Sequence, residues 1–286
     1  MESVSIGVIG GSGLYKMPEL RDVEQYNVVT PYGNPSAPVI VGTLKGKRIA
    51  FIPRHGVGHV FTPSTVPYRA NIFALKMLGV QRVIGVNACG SLREDYRPGD
   101  IVIPDQLFDH TKTDRGRSFF DTGFVAHVGV ADPICKTLSQ LAAQAVQTAG
   151  GTVHLGGTSI TIEGPRFSTR GESNIYRQWG CSIIGMTNCP EAFLAREAEM
   201  CYVTMSHVTD YDVWHEEPVN VEMVVETLHR NLTVAQQALA NLVRYIEDDE
   251  DCECHHALDT AIMTDREKLS REQVQRLGPI LERLML

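Results

Sequence analysis

The chain has 286 residues and a formal net charge of −8, with 43% hydrophobic and 21% charged residues. That balance argues against a non-specific grip on nucleic acid or anionic lipid, though it leaves room for a local basic pocket for one small anion. No apolar run approaches the roughly 20 residues that cross a bilayer. The N-terminal stretch MESVSIGVIGG enters a strand without a basic region or long apolar segment, so no signal peptide is expected. The seven cysteines are dispersed except for Cys252 and Cys254, the pattern of reduced thiols in a cytoplasmic protein.

Short β-branched runs alternate with amphipathic stretches along the chain. Ser5–Ile9, Pro38–Gly42 and Arg48–Ile52 read as strands, and Tyr68–Leu78 has helical apolar spacing closed by Gly79. A strand over Arg82–Val86, a turn over Asn87–Ser91 and a strand over Asp100–Pro104 come next. Asp132–Ala149 reads as a helix closed by Gly150-Gly151, and Val219–Ile246 as one long helix after a buried strand over Met200–Val208. This alternation predicts a three-layer α/β domain over the whole chain, with a C-terminal helical segment after the acidic stretch Glu247–Asp251.

Five segments at strand ends carry ligand-type chemistry. Gly10-Gly11-Ser12-Gly13 can curl backbone N–H groups around an anion, or simply make a tight turn. A dinucleotide fingerprint fails there, because the position of its last glycine is Lys16, which disfavours a nicotinamide-dependent oxidoreductase. Pro53-Arg54-His55-Gly56 offers a planar guanidinium fork and a second donor to phosphate, with a surface ion pair as the plain alternative. Asn87-Ala88-Cys89-Gly90-Ser91 could add backbone donors, and Thr161–Ser168 a rigid loop with a Phe face and a Ser hydroxyl. Last comes Thr209-Asp210-Tyr211-Asp212-Val213-Trp214, whose two acids alternate to one side of an extended chain. Either the strand runs out into an acidic loop, or crowding keeps one carboxyl protonated. Glycine-rich or polar turns gathered at strand ends are where α/β domains bind ligands.

In this order these motifs, with Gly185–Asn188 and Pro190-Glu191, resemble the trimeric purine nucleoside phosphorylases over roughly residues 4 to 246. The resemblance implies that family's fold, a mixed central sheet flanked by helices, and a homotrimer or homohexamer without nucleic acid or membrane partners. It implies a pentosyltransferase with inorganic phosphate as co-substrate and no metal or organic cofactor. Ser12, Arg54, His55, Asn87, Ala88 and Thr187 would hold phosphate, although relatives carry threonine where this chain has Asn87. Met186 would lie under the ribose, and Phe167 and Ser168 would flank the base. Asp210 and Asp212, with Thr209 beside them, would read N7 and the exocyclic amine. His127 would be lent by a neighbouring subunit.

The acid pair suits a 6-aminopurine, since a carboxylate accepts from N–H and is repelled by a carbonyl oxygen. Where the 6-oxopurine relatives hold a 5′-hydroxyl with histidine, the stretch Val219–Val225 has none. Val221, Val224 and Val225 suit a methylthio group, or are ordinary core. The implied reaction is phosphorolysis of 5′-methylthioadenosine to adenine and 5-methylthioribose 1-phosphate. The alternatives are methylthioinosine, adenosine, inosine or guanosine as substrate, or a catalytically silent purine-binding protein.

Cys252-Glu-Cys-His-His256 looks metal-like, but its donors are bunched and no distant second pair is evident, so no metal site is expected. Some relatives carry a C-x-C near the C-terminus, which allows a redox-sensitive pair. Trp179 and Trp214 read as packing residues, and Glu163, Arg166 and Glu191 as candidates for a buried ion-pair network near the site.

Overall fold

The computed structural model describes residues 4–11, 13–14, 16–216, 219–247 and 251–285. In chain order the elements begin with β1 (Ile6–Gly10), β2 (Arg21–Tyr26), β3 (Val39–Leu44), β4 (Lys47–Pro53), α1 (Tyr68–Met77) and β5 (Arg82–Ser91). They continue with β6 (Ile101–Ile103), β7 (Gln106–His110), α2 (Lys136–Thr148), β8 (Val153–Leu155), β9 (Thr158–Ile162) and α3 (Arg170–Gln178). β10 (Cys181–Gly185), α4 (Asn188–Glu197), β11 (Cys201–Asp210), α5 (Val221–Tyr245) and α6 (Arg271–Met285) complete the chain.

The strands form one mixed sheet flanked by helices, with the path β2-β3-β4-β1-β5-β10-β9-β7 and a branch from β5 through β11 and β6 to β8. Every residue of β1 and β11 is buried, which requires cover on both faces and explains why neither strand alternates polar with apolar. α2 and α5 pack together and onto β11, while α1 packs on α4 and α6. Leu258, Ala261, Leu277, Ile280 and Leu281 of the C-terminal segment join the same apolar core as β1, β4 and β11.

The branch at β5 positions the site. β5 runs parallel to β1 only as far as Gly85, stays paired with β11 to Gly90, and then pairs antiparallel with β10 at Gly90 and Ser91. Asn87–Ser91 is therefore strand and not the turn its small residues suggested. Those residues are small because two further strands and the acids of β11 crowd against them. A Cβ on Gly90 would stand 2.9 Å from Asp210 Oδ1 and 3.2 Å from Asp212 Cβ.

Other differences are local. β2 and β7 have weak apolar signals, being exposed or half-buried, and escape pattern reading. α2 starts at Lys136, with Cys135 as an extended N-cap residue. Folding also supplies the second thiol pair that was not evident in the sequence, because Cys135 and Cys201 meet Cys252 and Cys254. Trp179 is 56% exposed, in a surface cluster with Phe108, His110 and Tyr176, so it is not a core packing residue. Trp214 is half-buried, donates to Ser91 O at 2.7 Å and lies under the Arg177 guanidinium. Among the described residues no helix is long and apolar enough to cross a membrane.

Candidate active site

Where β1 and β10 part along β5, a cavity of about 750 Å³ opens beyond the ends of β1, β4, β5 and β11. Its polar end is knit by the backbone. Arg54 N–H donates to Gly10 O at 3.0 Å, Arg54 Nη1 to Val86 O at 2.9 Å, and the Asn87 amide to Asn188 and Thr204. Gly11, Gly13, Ala88 and Thr187 line the same end, and the Thr187 hydroxyl makes no helix-capping bond. Ser12 lies outside the described residues.

Arg54 does not present its fork to the cavity. Nε and Nη2 form a bidentate pair with Glu191 at 2.8 and 2.7 Å, and Nη2 also donates to Ile9 O at 3.0 Å. Burial disfavours this cation, but the Glu191 charge outweighs it and raises the guanidinium pKa. Four of the five N–H groups are thus used inside the protein, leaving one on Nη1. Tyr202 donates to the same Glu191 at 2.9 Å.

His55 differs from its expected role in a similar way. Its Nδ1 lies 2.9 Å from Phe61 O, and a carbonyl only accepts, so the neutral ring carries its proton there and leaves Nε2 an acceptor. Burial, with the Arg54 charge, lowers its pKa to about 4. Asn87 likewise spends both amide hydrogens on Asn188 and Thr204, and its Oδ1 has no partner.

From Asn87 to Gly90 the strand advances about 10 Å, the length of a nucleoside, and arrives at the acid pair. Asp210 and Asp212 are each 3% exposed. The register shift between Val208 and Asp210, and a left-handed φ of +51° at Asp212, gather both around Gly90 more than simple alternation does. Asp210 Oδ1 accepts from Asp212 N–H and Oδ2 from the Thr209 hydroxyl, both at 2.7 Å. Burial is the main cause that lifts its pKa to about 6; those two donors oppose it and the Asp212 charge adds to it. Burial also raises Asp212, whose Oδ2 has no partner. Ser168 beside them has a buried hydroxyl without a partner, and Phe167 lines the same wall.

Met186 is fixed between the two ends. Arg115 donates to Met186 O at 2.6 Å and to Glu163 at 2.9 Å, tying it to the Thr161–Ser168 loop. Burial would raise Glu163, but Ser64, the Lys112 and Thr113 amides and Arg115 together hold it well below the usual carboxylate range. Of the three expected network members, Glu163 and Glu191 belong to two separate pairs. Arg166 is exposed on Glu172 and outside both.

The first turns of α5 supply an apolar wall. Val221, Val224 and Val225 line the cavity and are not core, with Val221 66% exposed. Leu228, His229 and Leu232 continue the stripe; the i, i+4 steps from Val224 to Leu228 and Leu232, and from Val225 to His229, were the signal that could have found them. His59, stacked on His55 with ring centroids 4.3 Å apart, and the buried His207, with no partner on either ring nitrogen, were also missed. His127 is exposed and not among the residues lining this cavity; its N–H donates to Ala261 O at 2.8 Å.

The mixed sheet with a cleft at its strand branch places the protein by class: the chain belongs to the phosphorylase superfamily, whose model matches residues 5–244. Its relatives within that class are more particular. It is 51% identical over 283 residues to the S-methyl-5′-thioadenosine phosphorylase of Geobacter sulfurreducens, covering 98% of this chain and 99% of that one. Identity to the enzyme of that name from Thermofilum pendens is 50%, over 92% of this chain and 100% of the relative. A methylthioadenosine phosphorylase from an antarctic soil metagenomic library superposes with a TM-score of 0.94 at 45% identity, covering 98% of this chain and 100% of that one. The Schistosoma mansoni methylthioadenosine phosphorylase, solved with adenine, superposes at 0.84 with 36% identity, over 90% and 96% of the two chains.

Proposed function

We propose that the chain catalyses the phosphorolysis of 5′-methylthioadenosine to adenine and 5-methylthioribose 1-phosphate. The observation that carries this reading is the buried pair Asp210–Asp212, about 10 Å along β5 from a polar pocket and bordered by an apolar valine stripe. As the C1′–N9 bond breaks, negative charge grows on the purine and positive charge on the ribose. Protonated Asp210 donates to N7, and ionised Asp212 accepts from the exocyclic amine. Phe167 and Ser168 flank the base and Met186 underlies the ribose. A phosphate oxygen forms the new bond to C1′ as N9 leaves.

The phosphate pocket in this reading comprises the Gly10–Gly13 turn with Ser12, the remaining Arg54 Nη1 hydrogen, the Ala88 backbone and the Thr187 hydroxyl. His55 Nε2 accepts the P–OH of the hydrogen phosphate, or takes up a proton as the dianion enters. Asn87 shapes this end through Asn188 and Thr204 and offers phosphate only an acceptor. Inorganic phosphate is the co-substrate, with no metal or organic cofactor in the reaction.

Val221, Val224 and Val225 receive the methylthio group. The working assembly is a homotrimer in which His127 reaches a neighbour's cavity, supported by its exposure and by the apolar surface at Phe108, Ile175 and Trp179. A cytoplasmic location fits the seven cysteines, none of which forms a disulfide. Incubation with methylthioadenosine, with and without phosphate, tests the reading. Adenine release only with phosphate supports it. No release, or nucleoside binding without turnover, rejects it.

A further inference from the structure

We propose that Cys135, Cys201, Cys252 and Cys254 form a tetrathiolate site for one zinc ion that fastens the C-terminal segment to the α/β body. Four of the seven cysteines converge here, with all four sulfurs within 4.8 Å of one another. They come from three distant places: the N-cap of α2, the first residue of β11, and the short turn Cys252–His256. Cys135 and Cys252 sulfurs are 3.7 Å apart. A tetrahedron with Zn–S bonds of about 2.3 Å has edges of about 3.8 Å, whereas a disulfide needs about 2.05 Å. So compact a cage suits a single ion and not a polynuclear cluster.

The surroundings match a thiolate site. Cys135, Cys201 and Cys254 are buried, so a soft, dehydrated ligand set faces inward, which selects zinc over magnesium or calcium. Cys135 sits at the positive end of α2. His255 Nε2 lies 3.6 Å from Cys201 Sγ, within reach to donate to the sulfur, and Arg82 borders the small cavity beside Cys135, Cys201 and Cys252. Such outer donors stabilise the negative charge of four thiolates on a dication. The turn is also coupled to the body beyond the sulfurs. Leu258 N–H donates to Glu199, Glu199 pairs with Arg283 of α6, and Ile262 bridges to Ala126. The site lies apart from the cavity lining, apart from the reaction, and is structural.

The test uses the full-length protein purified in reductant without added metal. Elemental analysis is expected to give about one zinc per chain, falling at least tenfold in Cys252→Ser and Cys254→Ser but unchanged in Cys181→Ser. Exchange of the wild type into Co²⁺ is expected to give an intense sulfur-to-cobalt charge-transfer band with tetrahedral d–d bands. This readout stands if a variant fails to fold. A wild type with less than about a tenth of a zinc per chain that also takes up no cobalt overturns the proposal. A thiol count in denaturant then separates seven free cysteines from a disulfide, and either result rejects the site. Stoichiometric iron in place of zinc overturns the zinc assignment.

Discussion

Replacing Asp210 with asparagine separates what this residue does for the reaction from what it costs the fold. Its carboxyl is lifted from 3.8 to about 6, roughly 2 units, and each unit is worth about 1.4 kcal/mol. The folded value lies above the unfolded one. Its contribution to stability is therefore fully present below pH 3.8 and is lost as pH rises through about 6, a loss of roughly 3 kcal/mol by pH 7.5. Asp210→Asn removes that loss. It also sets an amide N–H against one of two donors, the Thr209 hydroxyl or Asp212 N–H, at about 1–3 kcal/mol at every pH. Denaturant unfolding of both proteins at pH 4 and pH 7.5 should show the variant gaining roughly 2.5 kcal/mol on the wild type across that interval, since part of the loss is already complete at pH 4. Turnover of methylthioadenosine should drop about 10²-fold or more, the scale of a lost general acid. The wild-type decline in kcat/KM above pH of about 6 should vanish in the variant, and preference should shift toward 6-oxopurines. Parallel stability curves would refute the account of the buried carboxyl. Unchanged rates and preference would refute its role as the acid.

Glu191→Ala strands the Arg54 charge in the interior and should cost about 3–5 kcal/mol in chemical unfolding, while Glu191→Gln, which keeps one acceptor, should cost less. Arg54→Ala should raise the phosphate concentration needed for half-saturation while nucleoside binding without phosphate changes less; wild-type phosphate saturation would remove Arg54 from that site. The valine stripe should favour methylthioadenosine over adenosine by roughly 30-fold to several thousand-fold in kcat/KM, from about 1–2 kcal/mol of apolar burial and about 1–3 kcal/mol for an unpartnered hydroxyl. Val221→His should narrow that gap, and a wild type that prefers adenosine contradicts the assignment. Trp179→Glu, at an exposed aromatic cluster, should shift light-scattering mass from trimer to monomer if that surface is the subunit contact.

The sequence by itself determined the α/β alternation, most strand cores and the order of the ligand turns, because these are written in local spacing. β-branched runs mark strands, a 3.6-residue apolar period marks helices, and Gly10–Gly13, Arg54-His55 and Asp210–Asp212 are contiguous motifs. Only the tertiary structure decided which donors remain available. In the sequence Arg54 reads as an open fork and His55 as a donor, but Glu191, 137 positions away, occupies the fork and Phe61 O takes the imidazole proton. The same holds for Asn87–Ser91, which is strand because β10 and β11 pair with it, and for Cys135 and Cys201, which meet Cys252 and Cys254 only across the fold. A residue's type and its neighbours in sequence state what it can bind. Each hydrogen has one place to go, and the partners that compete for it are brought there by folding.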